Sequence, residues 1–377
     1  MNSVAASADG SRVVGGTFYH KYSPGESRRA PAQRSGGAVP SESGRFGVYC
    51  YDAAGRALWS NEFDGWQGVY WVALSANGQR AAAGGFMTNN MPQQGFVSAY
   101  NAETGSQLLF RRTQQRVNQV ALSGDGAWLV SAAETVLLFR QPSSPNVSSY
   151  QQTAEFKPAG TEGAVSVAIS ADGNTVVYAD YAGYIGLLAN NAGKFELRAR
   201  WKVPGDERGD FCHMLDLAPD GKCFAAGGAK GVFYFFDVAK FATTGLPTSE
   251  SAASVSGAIF GVAVAGDGSL FAGVVNDGTA GYAVVVPVAN GAAGPARQFA
   301  TKHNPNGVAL NATHGMLAVA DGHSDVHQGS FYLFDLATGA QRWSCATGKM
   351  SWPIAIAANG SAVVGGSDDS NLYYFRP

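Results

Sequence analysis

The stretch Val72 to Gly85, "VALSANGQRAAAGG", combines small apolar residues, a polar turn, more small apolar residues and two glycines. Its meaning comes from its recurrence, since a fixed period of this length is the signature of a repeat architecture. Related segments begin at Val4 ("VAASADGSRVVGG"), Val120 ("VALSGDGAWLVSAA"), Val167 ("VAISADGNTVVYAD") and Leu215 ("LDLAPDGKCFAAGG"), then at Val262 ("VAVAGDGSLFAGVV"), Val308 ("VALNATHGMLAVAD") and Ile354 ("IAIAANGSAVVGG"). Successive starts lie 68, 48, 47, 48, 47, 46 and 46 residues apart, so a unit of about 47 residues occurs eight times, the first copy enlarged by about twenty.

Within each unit, two short alternating strands flank an Asp-Gly or Asn-Gly turn, whose two central residues tolerate positive φ in a tight hairpin. A third strand is richer in aromatic and branched residues, as in "FVSAYN", "GVFYFFD" and "SFYLFD", which suits half-buried pleated surface. After a turn such as "AETG" or "LATG", a fourth follows, for example "QRWSCAT". Four antiparallel strands per unit at this period predict an all-β chain folded as one eight-bladed β-propeller over residues 1–377, with seven blades as the alternative. The innermost strands converge on an axis with little room, hence the small side chains. The copies include only seven fourth strands, so either the eighth blade has three strands or the native chain is longer.

The 377 residues are 46% hydrophobic and 14% charged, with 49 glycines, which suits a large core with many tight turns. A formal net charge of −2 offers no general affinity for nucleic acid or an anionic membrane. No apolar run is long enough to span a bilayer. The cysteines, Cys50, Cys212, Cys223 and Cys345, fall in separate repeats without C-x-x-C spacing, which points to neither a zinc site nor a disulfide framework. "MNSVAASADG" enters the first strand at once and leaves no room for a signal peptide, so a cytoplasmic protein, or one whose leader has been removed, is expected.

"LFDLATGAQRW" (333–343) resembles the tryptophan-docking repeat of quinoprotein propellers through Asp335, Thr338, Gly339 and Trp343. "CYDAAGRALW" keeps Asp52, Gly55 and Trp59, and "AYNAETGSQLLF" keeps Ala99, Thr104 and Gly105. The S-x-D-G hairpins resemble the more general WD-like and quinoprotein-like repeats of bacteria. That superfamily includes eight-bladed dehydrogenases that use pyrroloquinoline quinone and non-catalytic members that bind protein partners. The dehydrogenases carry a vicinal cysteine pair and a calcium site; this chain has no Cys-Cys pair. The resemblance therefore implies inter-blade packing for Trp59 and Trp343.

Antiparallel alternation places the loops between second and third strands on the face that also carries the connections between blades. Length variation is concentrated there: an insertion over 17–46, expected to be a flexible flap, "FMTNNMPQQG" (86–95) and "DGHSDVHQG" (321–329). Variable loops on a rigid scaffold are the usual place for binding. The residues two before each innermost repeat do not repeat: Asn2, Tyr70, Asn118, Val165, His213, Phe260, Asn306 and Trp352. Tyr70 with Trp71, Asn118, His213, Phe260, Asn306 and Trp352 form an aromatic wall with amide and imidazole groups, suited to a polar or sugar-like ligand; filling the funnel mouth is the alternative role. His323, Asp325 and His327, with Asp321 before them, alternate along an extended segment and could converge on a divalent metal ion; a hydrophilic hairpin uses the same residues. With no nucleophile elbow, phosphate loop or paired carboxylates, the expected function is a non-catalytic scaffold binding a protein, peptide or carbohydrate. The alternative is a quinone- or metal-dependent oxidoreductase, lyase or hydrolase.

Overall fold

The computed structural model describes residues 1, 3–18, 46–63, 68–87, 94–141, 149–159, 163–204, 214–228, 230–252, 258–276, 281–323 and 328–377. Blade one contains β1 (Ser3–Ala6), β2 (Arg12–Gly16), β3 (Phe46–Asp52) and β4 (Ala57–Phe63). Blade two contains β5 (Gly68–Leu74), β6 (Arg80–Phe86), β7 (Gly95–Asn101) and β8 (Gln107–Thr113). Blade three has β9 (Gln119–Leu122), β10 (Trp128–Ala132), β11 (Val136–Arg140) and β12 (Gln151–Phe156); blade four has β13 (Ala164–Ile169), β14 (Thr175–Asp180), β15 (Tyr184–Asn191) and β16 (Lys194–Lys202). In blade five, β17 (Met214–Leu217), β18 (Cys223–Gly227) and β19 (Val232–Asp237) lead through helix α1 (Val238–Thr244) to β20 (Ser249–Ala252). Blade six is β21 (Ala258–Val264), β22 (Leu270–Asn276), β23 (Gly281–Ala289), β24 (Ala292–Ala293) and β25 (Arg297–Ala300). Blade seven is β26 (Pro305–Asn311), β27 (Met316–His323), β28 (Gln328–Asp335) and β29 (Gln341–Thr347), and blade eight is β30 (Ser351–Ile356), β31 (Val363–Ser367) and β32 (Leu372–Phe375).

Among the described residues these strands form eight antiparallel sheets: six of four strands, one of five because β23 pairs both β24 and β25, and one of three. The innermost strands neighbour one another in chain order and β30 returns to β1, closing the ring. The expected eight-bladed propeller is thus the observed fold, with three strands in the eighth blade among the described residues.

Packing explains the bland opening stretch. Seven apolar clusters each span two successive blades, the one between blades two and three joining Ala82, Val97 and Leu108 to Val120, Leu129 and Phe139. A Cβ on Gly84 would come within 2.4 Å of Val117, so β6 must be bare for the next blade to approach. Full burial of aromatic third-strand residues such as Tyr100 and Phe139 stabilises each interface by roughly 2–3 kcal/mol per side chain.

Two local expectations are revised. In the S-x-D-G hairpins only the glycine has positive φ, +69° at Gly10; among the described residues other than glycine, positive φ occurs at Ala192, Asn290 and Ser370 alone. The aspartate braces the turn with its side chain instead: Asp9 Oδ1 accepts from Ser11 N and Ser7 Oγ, and Ser7 Oγ accepts from Arg12 N. Those donors hold the Asp9 carboxyl down at about 2, the Ser7 hydroxyl contributing most. In blade five the short turn between third and fourth strands is replaced by α1, capped by Asp237 at its start and by Gly245 at its end, with Phe241 buried against Phe224 and Phe236.

Hydrogen bonds join blade eight to blade one across the closing seam. Asn359 N donates to Ala8 O at 2.9 Å, Ser361 Oγ to Asp9 O at 3.0 Å, Tyr374 Oη to Gly10 O at 3.0 Å and Met1 N to Ser367 O at 2.7 Å. Backbone amides of successive hairpin turns make the same kind of bond elsewhere, as from Ala8 N to Ala76 O and from Asn77 N to Gly124 O.

Candidate functional site

Strand register defines the two faces. Gly68 pairs with Phe86, Phe86 with Gly95 and Gly95 with Thr113, so the start of the innermost strand, the loop between second and third strands and the exit of the fourth share one face. The Asx-Gly turns occupy the other.

On the loop face the innermost strands are irregular at the positions that break the repeat. The ladder skips Tyr70 between Val69 and Trp71, Val165 between Ala164 and Ser166, Phe260 between Ile259 and Gly261, and Asn306 between Pro305 and Gly307; in blade eight it skips Trp352 and Pro353. A bulge leaves its extra residue outside the pairing pattern and re-aims the side chain. Tyr70, Val165, Phe260 and Trp352 are half-buried.

Around Tyr70 the side chains form a continuous row across blades one to four. Phe18 stacks on Tyr70 with centroids 5.7 Å apart and meets Phe86 edge-on at 5.8 Å. The Arg116 guanidinium lies over Tyr70, 4.4 Å from its centroid, and its Nε donates to Asn118 Oδ1 at 2.9 Å. Asn118 Nδ2 then donates to Ala164 O at 2.9 Å. Across the mouth, Asn306 Nδ2 donates to Gly322 O and Ser351 O at 3.1 and 3.0 Å, and Trp352 Nε1 reaches Asp368 Oδ2 at 3.4 Å. Both amides are buried and link neighbouring blades. Trp71 packs into the apolar interface of blades two and three, away from the row that holds Tyr70.

Further along the innermost strands, polar side chains latch four of them to the next. Ser3 Oγ accepts from Val72 N at 2.9 Å, Gln119 Oε1 from Val167 N at 2.9 Å, Ser166 Oγ from Leu215 N at 3.3 Å and Asp216 Oδ2 from Val264 N at 2.8 Å. Asp216 is the ionisable member of this set, and desolvation by the surrounding strands pushes its carboxyl up to about 6.

The other expected residues separate. Asp321 is fully buried at the end of β27, where its Oδ2 accepts from Tyr332 Oη and His303 N, both at 2.8 Å; burial raises its pKa. His323 is half-buried two residues on. Asp325, His327, His213, Cys212 and residues 19–45 of the insertion lie outside the described residues. Among the described residues no group of three or more His, Cys, Asp or Glu side chains converges in a way that could hold a metal ion. Cys50 and Cys223 are buried, and desolvation moves each thiol up to about 11. The described cysteines carry no disulfide.

The sequence reading missed Arg116, Phe18 and Asp216. Arg116 stands two residues before Asn118, and Asp216 holds the place where the other seven repeats carry alanine, so each was visible as a departure from the period. No family model matches the chain, and no curated protein matches it. Fold and face together define an eight-bladed β-propeller whose innermost strands bulge on the loop face. No described helix is long and apolar enough to cross a membrane.

Proposed function

We propose that this is a non-catalytic binding propeller that recognises a protein, peptide or carbohydrate on its loop face, at the channel mouth. The observation that carries this reading is the bulging of the innermost strands at Tyr70, Phe260 and Trp352, half-buried aromatics at positions where the repeat sequence also breaks. A bulge re-aims its extra side chain and is over-represented beside functional sites. The row of Phe18, Tyr70 and Arg116 supplies flat apolar and cationic surface, as polar ligands and sugar rings require.

We place the blades with the WD-like and quinoprotein-like repeats of bacteria. Trp59 supports this kinship: its Nε1 donates to Ala102 O at 2.8 Å, and its ring covers Gly105 of the following blade, the inter-blade docking that the motif implies. Trp343 packs on Phe375 of blade eight, with ring centroids 4.5 Å apart.

Arrays of glycans and of peptides, probed with the wild-type protein and with Tyr70→Ala, test the function. A defined set of ligands lost in the variant supports the reading; turnover dependent on a bound quinone or divalent ion would replace it.

A further inference from the structure

We propose that the group recognised at the channel mouth is a carboxylate carried by a peptide and held by the terminal nitrogens of Arg116. This inference rests on the reading of the loop face as a binding surface and names the chemistry of its occupant. Arg116 stands in the link between β8 and β9, where the backbone on both sides of it is tied down. Gln114 N and Gln115 N donate to Glu134 Oε1 and Oε2 at 2.9 and 3.0 Å, and Thr113 Oγ1 donates to Gln115 O at 2.7 Å. Val117 N donates to Gly85 O at 3.1 Å and Asn118 N to Ala132 O at 2.8 Å, and the Val117 side chain is fully buried. A recognition residue needs such a rigid mount.

The side chain is held as firmly. Tyr70 lies beneath the guanidinium and Asn118 takes its Nε, which fixes the plane and leaves Nη1 and Nη2 without a partner among the described residues. Two other described arginines are half-buried, Arg12 and Arg80. Each spends its Nη1 on a backbone carbonyl at a hairpin turn, Arg12 on Gly78 O at 2.7 Å and Arg80 on Gln79 O at 2.9 Å. Arginines that brace the scaffold use their terminal N–H groups in this way; Arg116 keeps them for something else. Glu134 does not take them, since each of its oxygens already accepts a link amide and no ion pair joins it to Arg116.

The two terminal nitrogens form the fork of the guanidinium, whose parallel N–H groups match the two oxygens of one carboxylate in charge and in shape. Tyr70 is already in contact with Phe18 from blade one and with Arg116, so its ring supports the guanidinium rather than offering an open platform to a sugar. The bulge holds Tyr70 outside the ladder between Val69 and Trp71, and unpaired backbone groups are what the main chain of a peptide binds. A peptide with an acidic side chain or a free C-terminus therefore fits this part of the mouth better than a sugar does.

The test uses the wild-type protein and an array of short peptides in which every member with Asp or Glu is accompanied by its Asn or Gln twin, each made with a C-terminal carboxylate and with a C-terminal amide. A glycan array that includes uronates is probed beside it. Captured peptides are expected to carry a carboxylate, with the neutral twin captured about tenfold less or worse. The amidated series tells a side-chain carboxylate from a terminal one, and either supports the proposal. Arg116→Gln is expected to capture the twins alike, a loss of discrimination that a merely structural role would not produce. Equal capture of acidic and neutral twins by wild type, with Tyr70→Ala abolishing both, would overturn the carboxylate while leaving the mouth as a binding site. A preference for the acidic twin that survives in Arg116→Gln, or capture of uronate glycans alone, would also overturn the proposal. Absence of capture on both arrays would remove the binding reading and this inference together.

Discussion

The guanidinium of Arg116 lies over the ring of Tyr70, 4.4 Å from its centroid, while its Nε donates to the side-chain carbonyl of Asn118. One residue therefore orients both a bulged aromatic and a buried inter-blade amide. Arg116→Ala should lower stability by only about 1 kcal/mol, as expected for a partly exposed cation–π pair and one hydrogen bond. The same change should weaken ligand capture on glycan or peptide arrays more than tenfold (about 1.4 kcal/mol). Melting curves and array signals from one preparation check both; a large fall in melting temperature with capture unchanged would assign Arg116 to the scaffold alone.

Closure of the ring is tested at Gly10. Its φ is +69°, and a Cβ there would come within 2.6 Å of Ser361 Oγ across the seam, whereas Gly55, at φ +78°, has nothing within 4 Å of a Cβ. Gly55→Ala should cost about 1 kcal/mol, the penalty of a left-handed alanine. Gly10→Ala should cost that and more, with the excess appearing as faster hydrogen exchange in β30 and β1. Equal losses for the two variants would mean that the seam accommodates the methyl group freely.

Trp59 joins blade one to blade two through its bond to Ala102 O and its contact with Gly105. Trp59→Ala should destabilise by about 3 kcal/mol, the usual range for removing a large packed aromatic. Trp59→Phe should recover part of that loss but leave Ala102 O without the indole donor. Denaturant titrations of the three proteins provide the comparison, and a Phe variant as stable as wild type would remove the hydrogen bond from the explanation.

Asp216 gives stability a pH dependence of definite sign. Its carboxyl is raised to about 6 in the folded protein, from 3.8, so between these values the folded state binds the extra proton. This contribution is fully favourable below pH 3.8, declines as pH rises through 6, and at pH 7 and above reflects a desolvated charge costing on the order of 3 kcal/mol. Asp216→Asn, able to keep the bond to Val264 N, should raise the melting temperature at pH 8 relative to wild type and have little effect at pH 4. Asp9 acts in the opposite direction: its carboxyl is held at about 2, so its contribution is present above 3.8 and is lost as pH falls through 2. A pH-independent difference between Asp216→Asn and wild type would show that the channel carboxylate is well hydrated.

The architecture was legible because each repeat must solve the same packing problem, so Ala82, Ala83 and Gly84 have counterparts every 47 or so residues. The three described strands of the eighth blade agree with the count of seven "FELRARWKV"-like segments. The mouth residues were legible as breaks in the period, but the bulges that carry them were not, because a one-residue shift in pairing leaves no compositional mark. Asn118 and Asn306 gave the same signal as Tyr70, yet both amides bind the next blade; a sequence position does not reveal which way an amide turns. Helix α1 escaped notice because "VAKFATTG" is too short for helical periodicity, and its Asp237 cap resembles the aspartate of the turns it replaces.

Oxidative footprinting of aromatic side chains, with and without a ligand taken from the array screen, measures recognition at the mouth most directly. Protection concentrated at Tyr70, Phe260 and Trp352 is the expected result, with Trp59, Tyr49 and other outer-strand rings unchanged. Protection confined to the hairpin face or the outer strands, with those three residues as reactive as before, would contradict binding at the channel mouth.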